Sequence, residues 1–193
     1  PGLASFAEED AEFFFGRELE VEAVWKKLKR PRMLALIAPS GAGKSSFLRA
    51  GLVTSLPDSW TAAIAKPGTR PFQALAHALA PLLAGDADGV RDLLRFEQDD
   101  VAIQLFQRLR RRQHRTLVII DQFEELFTLS PVDVQASFAR MLGRLVLEAD
   151  VRVIVSLRDD FLIQCQAHDA LLPAFADVTP LGLLGVSSMR RAL

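Results

Sequence analysis

The sequence predicts an α/β protein built on a parallel five-stranded sheet covered by helices on both sides, a three-layer arrangement, and three observations carry that prediction. Short continuous apolar runs exchange regularly with longer amphipathic stretches, which is how buried parallel strands and their crossover helices read. A glycine-rich run stands directly after one apolar run and directly before a helical pattern. No internal repeat or low-complexity tract interrupts the exchange.

The elements follow in order. Strands are predicted from Met33 to Ala38, Trp60 to Lys66, Thr116 to Asp121, Val151 to Leu157 and, on a weaker pattern, Asp177 to Pro180. Helices are predicted from Glu18 to Lys29, Ser45 to Ser55, Pro71 to Leu83, Asp99 to Gln113 and Val132 to Leu147. GDADG, Gly85 to Gly89, reads as a turn, and the stretch from there to Asp100 as an insertion or mobile region. KPGTRP, Lys66 to Pro71, is a second break.

With 193 residues, 50% of them hydrophobic, the chain is long enough for one sizeable core and short for two. The 23 Lys and Arg nearly balance the 24 Asp and Glu, so no overall field draws the protein to nucleic acid or to an anionic membrane. A single cysteine, Cys165, cannot form an internal disulfide, which predicts a reducing compartment, by default the cytoplasm. No apolar run is long enough to cross a membrane, and PGLASFAEED lacks the basic-then-apolar order of a signal peptide. The missing initiator Met and the ending MRRAL predict a piece of a longer protein, with further domains of the same chain as partners.

The run APSGAGKSS, Ala38 to Ser46, has the order strand, glycine-rich loop, helix that a phosphate-binding P-loop needs. Pro39, Ser40, Gly41, Ala42 and Gly43 form the turn, and the two glycines let successive N–H groups curl around a β-phosphate. Lys44 supplies a compact charge for the β- and γ-phosphates. The Ser45 hydroxyl is a magnesium ligand, and Ser46 continues the helix whose N-terminus favours an anion. Ala38 stands where the usual pattern begins with Gly, a mild departure at the close of a strand. The expected ligands are ATP or ADP with Mg2+.

TLVIIDQFEELF, Thr116 to Phe127, runs an apolar strand into Asp121, at the edge where open α/β sheets bind ligands. Asp121 is the candidate magnesium carboxylate. Glu124 or Glu125 is the candidate for polarising the attacking water, with a slight preference for Glu125. The bland alternative is a set of acids favoured by a helix N-terminus. One strand, from Trp60 to Lys66, separates the phosphate-loop strand from the acidic one in sequence, and this spacing points to P-loop proteins that activate water with a glutamate. VRVIVSLRDDF places Ser156 and Arg158 at a third strand end, where a polar group can sense a γ-phosphate; the alternative is that Arg158 pairs with Asp159 or Asp160 on the surface. QRLRRRQHR, Gln107 to Arg115, has the look of a nucleic-acid patch but reads better as the solvated end of a helix. His77, His114 and His168 are scattered and lack metal-ligand spacing.

These motifs together resemble the STAND class of signal-transduction ATPases, and within it the bacterial novel STAND branch, often fused to WD-repeat or effector domains. GLASFAEEDAEFFFGRELEVE is similar to the opening motif of that branch, LIAPSGAGKSSFLRAGL to its phosphate loop, IIDQFEELFTL to its acidic strand and VIVSLRDDFL to its sensor strand. The resemblance implies that Phe15, Gly16 and Arg17 border the adenine, that Arg158 is the sensor, and that residues 1–30 form an opening segment and base-cupping helix ahead of a P-loop core over residues 31–193. VTPLGLLGVSSMRRAL is similar to the stretch leading into the lid, but has GVSS where the family usually carries an acid; the winged-helix and repeat domains that follow in the family are absent from the sequence. The implied function is a slow ATPase switch in signalling or defence, held by ADP and released on exchange for ATP to assemble as a homo-oligomer. A DNA-linked initiator or loader ATPase and a non-hydrolysing ATP-binding scaffold are the alternatives. No NKxD-like motif reads guanine, no second substrate pocket suggests a small-molecule kinase, and nucleic acid and membrane are not expected partners.

Overall fold

The computed structural model describes residues 17–29, 32–112, 115–176 and 178–182. Helix α1 (Glu18–Lys27) precedes β1 (Met33–Ile37); α2 (Lys44–Ser46) continues as a π-wound stretch, Phe47–Val53, before β2 (Trp60–Ala65). Helices α3 (Pro71–Leu79), α4 (Ala87–Leu93) and α5 (Asp99–Arg111) lead to β3 (Arg115–Ile120). Helices α6 (Glu124–Leu129) and α7 (Val132–Glu148) lead to β4 (Arg152–Leu157), and α8 (Leu162–Gln166) and α9 (Leu172–Phe175) to β5 (Thr179–Pro180). The strands form one sheet in the order β2-β3-β4-β1-β5. Every pairing in it is parallel. In space, therefore, the strand between the phosphate-loop strand β1 and the acidic strand β3 is β4, while β2 lies at the edge.

The continuous apolar runs are explained by burial on both faces. Met33 and Ala35 of β1, Val118 and Ile120 of β3, and Val153 and Val155 of β4 face a core filled by α3, α5 and α7. Their alternates Leu34, Leu36, Leu117, Ile119 and Ile154 face a second core built with Val21, Val24 and Leu28 from the first helical segment and Phe47, Leu48 and Leu52 after the glycine-rich loop. Because all strands run the same way, Ile37, Ile120 and Leu157 end at one edge, and the loops leaving them meet there.

The structure differs from the sequence reading in particular places. The stretch after Gly85 is an ordered helix: Asp86 caps α4 by accepting from the Gly89 N–H at 2.9 Å. Phe96 behind it is buried against Phe106, with ring centroids 6.4 Å apart. The helix expected from Ser45 to Ser55 is α-helical for one turn only and then widens. The helix expected from Pro71 tightens into a 3-10 turn over Ala80–Leu83, where Pro81 cannot donate to the α ladder.

Candidate functional site

The glycine-rich loop leaves β1 with the Ala38 N–H donating to the Leu157 carbonyl at 3.3 Å, so the loop starts tied to β4. It turns through Pro39, whose carbonyl accepts from the Ala42 N–H at 3.3 Å. Gly41 and Gly43 take φ of 77° and 80°. A Cβ at either would meet nothing within 4 Å, so backbone conformation and not space requires glycine there. The Phe47 N–H then donates to the Gly43 carbonyl at 2.9 Å, and fully buried Phe47 and Leu48 anchor the helix that follows. Lys44 is buried, and its Nζ donates to the carbonyls of Ala38 at 2.8 Å and Pro39 at 3.2 Å. Burial lowers the Lys44 pKa, while the charges of Glu124, Asp121 and Asp159 push it back up and Arg158 adds to the lowering. Ser45 and Ser46 are half-buried in the first turn.

Asp121, at the end of β3, is 1% exposed. Its Oδ1 accepts from the Ser156 hydroxyl at 2.6 Å and from the Gln122 N–H at 3.0 Å. Its Oδ2 is buried with no hydrogen-bond partner. The chain then turns through Gln122 at φ 54°, a left-handed conformation that costs a non-glycine residue about 1–2 kcal/mol. The turn is held by the Phe123 N–H donating to the Ser156 carbonyl at 2.7 Å, and Phe123 drops into the core. Glu124 and Glu125 are consecutive in the first turn of α6 and so point in different directions. Glu125 Oε2 accepts from the Gly68 N–H at 3.0 Å, in the break after β2, and Ser130 donates to the Gly68 carbonyl at 3.3 Å. Glu124 Oε2 is buried without a partner, and Glu124 is the foremost carboxylate acting on Lys44.

Arg158, just past β4, lies in a fork on Asp160, with Nε and Nη2 at 3.0 and 2.6 Å from its two carboxylate oxygens. It also stands 5.6 Å from the Phe161 ring centroid. Arg17 is 2% exposed, and its Nη2 donates to the carbonyls of Ala42 in the loop at 3.0 Å and Gly182 past β5 at 2.9 Å. Its Nη1 is buried and unpaired. Phe15 and Gly16 lie outside the described residues, as does the stretch from 183 to 193. Lys44, Asp121, Glu124, Ser156 and Arg158 thus gather at one edge of the sheet, while Glu125 turns to the loop after β2.

The sequence model of the family described as Novel STAND NTPase 1 matches residues 1–193. The chain belongs to that family. Among solved structures, this STAND NTPase is similar to a Walker-type ATPase of Pyrococcus abyssi, with TM-score 0.66, 14% identity, and coverage of 93% of this chain and 55% of that one. It is also similar to the ORC2 protein of Aeropyrum pernix, solved as ADPNP-ADP complexes, with TM-score 0.61, 17% identity, and coverage of 87% and 47%. A third likeness is to Cdc6p of Pyrobaculum aerophilum, with TM-score 0.55, 15% identity, and coverage of 86% and 45%. At these identities the likeness carries the α/β P-loop fold alone, and the chain spans about half the length of these structures. No curated protein sequence matches the chain.

The donor set of the STAND NTPase fits magnesium: a hydroxyl at Ser45 and a buried, unpartnered carboxylate oxygen on Asp121 suit a small hard cation that keeps several waters and takes its other ligands from phosphate. Such a site needs no cluster of three protein ligands, and the described residues contain none. Sequence reasoning missed the backbone partners Gly68 and Gly182, because a carbonyl or amide carries no residue signature. The arginine run at the end of α5 is largely met by carboxylates: Arg108 pairs with Asp92 at 3.1 Å, Arg112 with Asp86 at 3.0 Å and Arg110 with Asp150 at 3.0 Å. No helix among the described residues is long and apolar enough to cross a membrane.

Buried Cys165 stands in the field of Glu124; burial first, and that charge second, push its thiol up to about 12. The native protein is therefore expected to resist Ellman's reagent at pH 8 and to react only on unfolding. An unfolded thiol releases its proton near pH ~8.5, so this group's contribution to stability falls as pH rises from there toward 12. Rapid labelling of folded protein at pH 8 would contradict the packing of α8.

Proposed function

We propose that this domain is a nucleotide-operated switch that binds ATP with magnesium, hydrolyses it slowly, and uses exchange of ADP for ATP to control assembly with other domains of its chain or with further copies. The observation that carries the reading is the pair of buried, unpartnered carboxylate oxygens, Asp121 Oδ2 and Glu124 Oε2, gathered with Lys44 at the strand ends. Burying a carboxylate oxygen without a partner is costly, and a cation and a water are the groups that remove the cost.

In this reading the loop N–H groups hold the β-phosphate, and Lys44 exchanges the carbonyls of Ala38 and Pro39 for phosphate oxygens. Ser45 and Asp121 would hold magnesium, which when bound would neutralise phosphate charge. Ser156 and the Gln122 amide fix Asp121 through Oδ1 and leave Oδ2 for the ion. We assign the water-polarising role to Glu124 and not to Glu125, since Glu125 is engaged with Gly68. The free Nη1 of Arg17 is a donor for the base. Arg158 reads the γ-phosphate by trading its fork on Asp160 for phosphate oxygens, an exchange that fits slow turnover.

Steady phosphate release from ATP, dependent on magnesium, is the direct test of the reading. Arg158→Ala is expected to weaken ATP about tenfold or more while leaving ADP nearly unchanged, since a charge-assisted hydrogen bond is lost only with the γ-phosphate. Competition titrations with both nucleotides check it. An equal effect on the two, or none, would reduce Arg158 to a surface partner of Asp160.

A further inference from the structure

We infer that Arg17 is a positioning residue that shapes the phosphate loop, independently of any contact with the base; the inference rests on the loop's reading as a phosphate site. Arg17 stands at the N-cap position of α1, which Val21 and Val24 seat in the core shared with Phe47 and Leu48. The Val21 N–H donates to the Arg17 carbonyl at 3.0 Å, so the side chain is delivered from a fixed helix start. One nitrogen, Nη2, then bridges two carbonyls from distant parts of the chain: Ala42, 25 residues on, and Gly182, 165 residues on.

The Ala42 contact has a geometric consequence. A trans peptide is planar and its C=O and N–H point to opposite sides. Holding the Ala42 oxygen on the guanidinium therefore fixes the Gly43 N–H to the other side of that peptide plane. Gly43 is at φ 80°, in the part of the loop where rotation is otherwise cheap because no side chain resists it. A buried guanidinium, with burial lowering its pKa and Glu20 opposing that, thus sets one peptide of the phosphate cradle before ligand arrives. The Gly182 contact ties the same guanidinium to the chain leaving β5, which is itself pinned by the Leu181 N–H donating to the Ile37 carbonyl at 2.8 Å. Loop shape and the position of the exit from β5 are joined through one side chain.

Magnesium pyrophosphate separates this role from base recognition, because it engages the loop and has no base. Titration calorimetry on the full chain would compare magnesium pyrophosphate and magnesium ADP for wild type, Arg17→Met and Arg17→Lys. Arg17→Met is expected to bind pyrophosphate about ten- to a hundredfold more weakly, and ADP at least as much more weakly. Arg17→Lys, a point charge without the planar fork, is expected to fall between. Unchanged pyrophosphate affinity beside weakened ADP would overturn the inference and leave Arg17 with the base alone. A lowered melting temperature with unchanged pyrophosphate affinity would overturn it as well. If Arg17→Met does not fold, Arg17→Lys decides by the same criterion. Wild type that binds none of pyrophosphate, ADP and ATP would bring down the nucleotide reading itself, and the inference with it.

Discussion

Lys44→Ala is expected to weaken ATP by about a hundredfold or more, and ADP, which offers only the β-phosphate, by about tenfold to a hundredfold, while leaving the protein folded. One charge-assisted contact is worth about tenfold to a hundredfold, and Lys44 addresses two phosphates of ATP. The fold survives because the lysine's own partners are modest. Its Nζ covers two carbonyls, at Ala38 and Pro39, and Pro39 is exposed, so water can replace the ammonium there. Removing the charge also relieves the burial that already lowers its pKa, which offsets the lost attraction of Glu124 and Asp121. Lys44→Arg is not a rescue, because a planar guanidinium is larger than the nine-tenths-buried site of a compact ammonium. Titration calorimetry with each nucleotide reads the effect. Undiminished affinity in a folded Lys44→Ala variant would mean that the loop does not hold phosphate.

Glu124→Gln is expected to keep ATP bound and to slow its hydrolysis by about a hundred- to ten-thousandfold, the range over which a positioned general base contributes. Glu125→Gln is expected to cost far less, because an amide oxygen can still accept from the Gly68 N–H and so keep the break after β2 in place. Single-turnover phosphate release from labelled ATP separates the two variants. The reverse order of effects would return the base to Glu125 and make the Gly68 contact a resting arrangement that ATP dissolves.

The candidate site was legible where its proposed chemistry sits in residue types at fixed spacing. Lys44 and Asp121 are such cases: one follows a glycine loop at a strand end, and the other closes an apolar strand. Which of the two glutamates meets Gly68 was not legible, because that contact depends on the break after β2 lying beside the start of α6, and glutamate gives no sign of it. The partnership of Ser156 with Asp121 depends on β4 lying beside β3, a matter of strand order that a sequence alone does not contain. The fold shows the same division. Strand positions were readable because burial on both faces leaves unbroken apolar runs, whereas α4 was hidden by GDADG. There Asp86 works as a helix cap and Arg108 and Arg112 as its ion-pair partners, though the same residue types also make turns. Helix α6 was hidden because only three residues, Asp121, Gln122 and Phe123, separate it from β3.

The central claim, that the loop, Asp121 and Glu124 form one site that holds and cleaves a nucleoside triphosphate, is tested most directly by following the fate of bound ATP. Equimolar ATP labelled at the γ-phosphate would be mixed with the full chain, with and without magnesium, and the bound and free nucleotide separated over time. With magnesium, the account predicts near-stoichiometric capture of ATP, slow conversion to ADP that stays bound, and release of labelled phosphate, all lost in Lys44→Ala and the conversion alone lost in Glu124→Gln. ATP recovered unbound, or bound and unchanged after many hours with magnesium present, would contradict it.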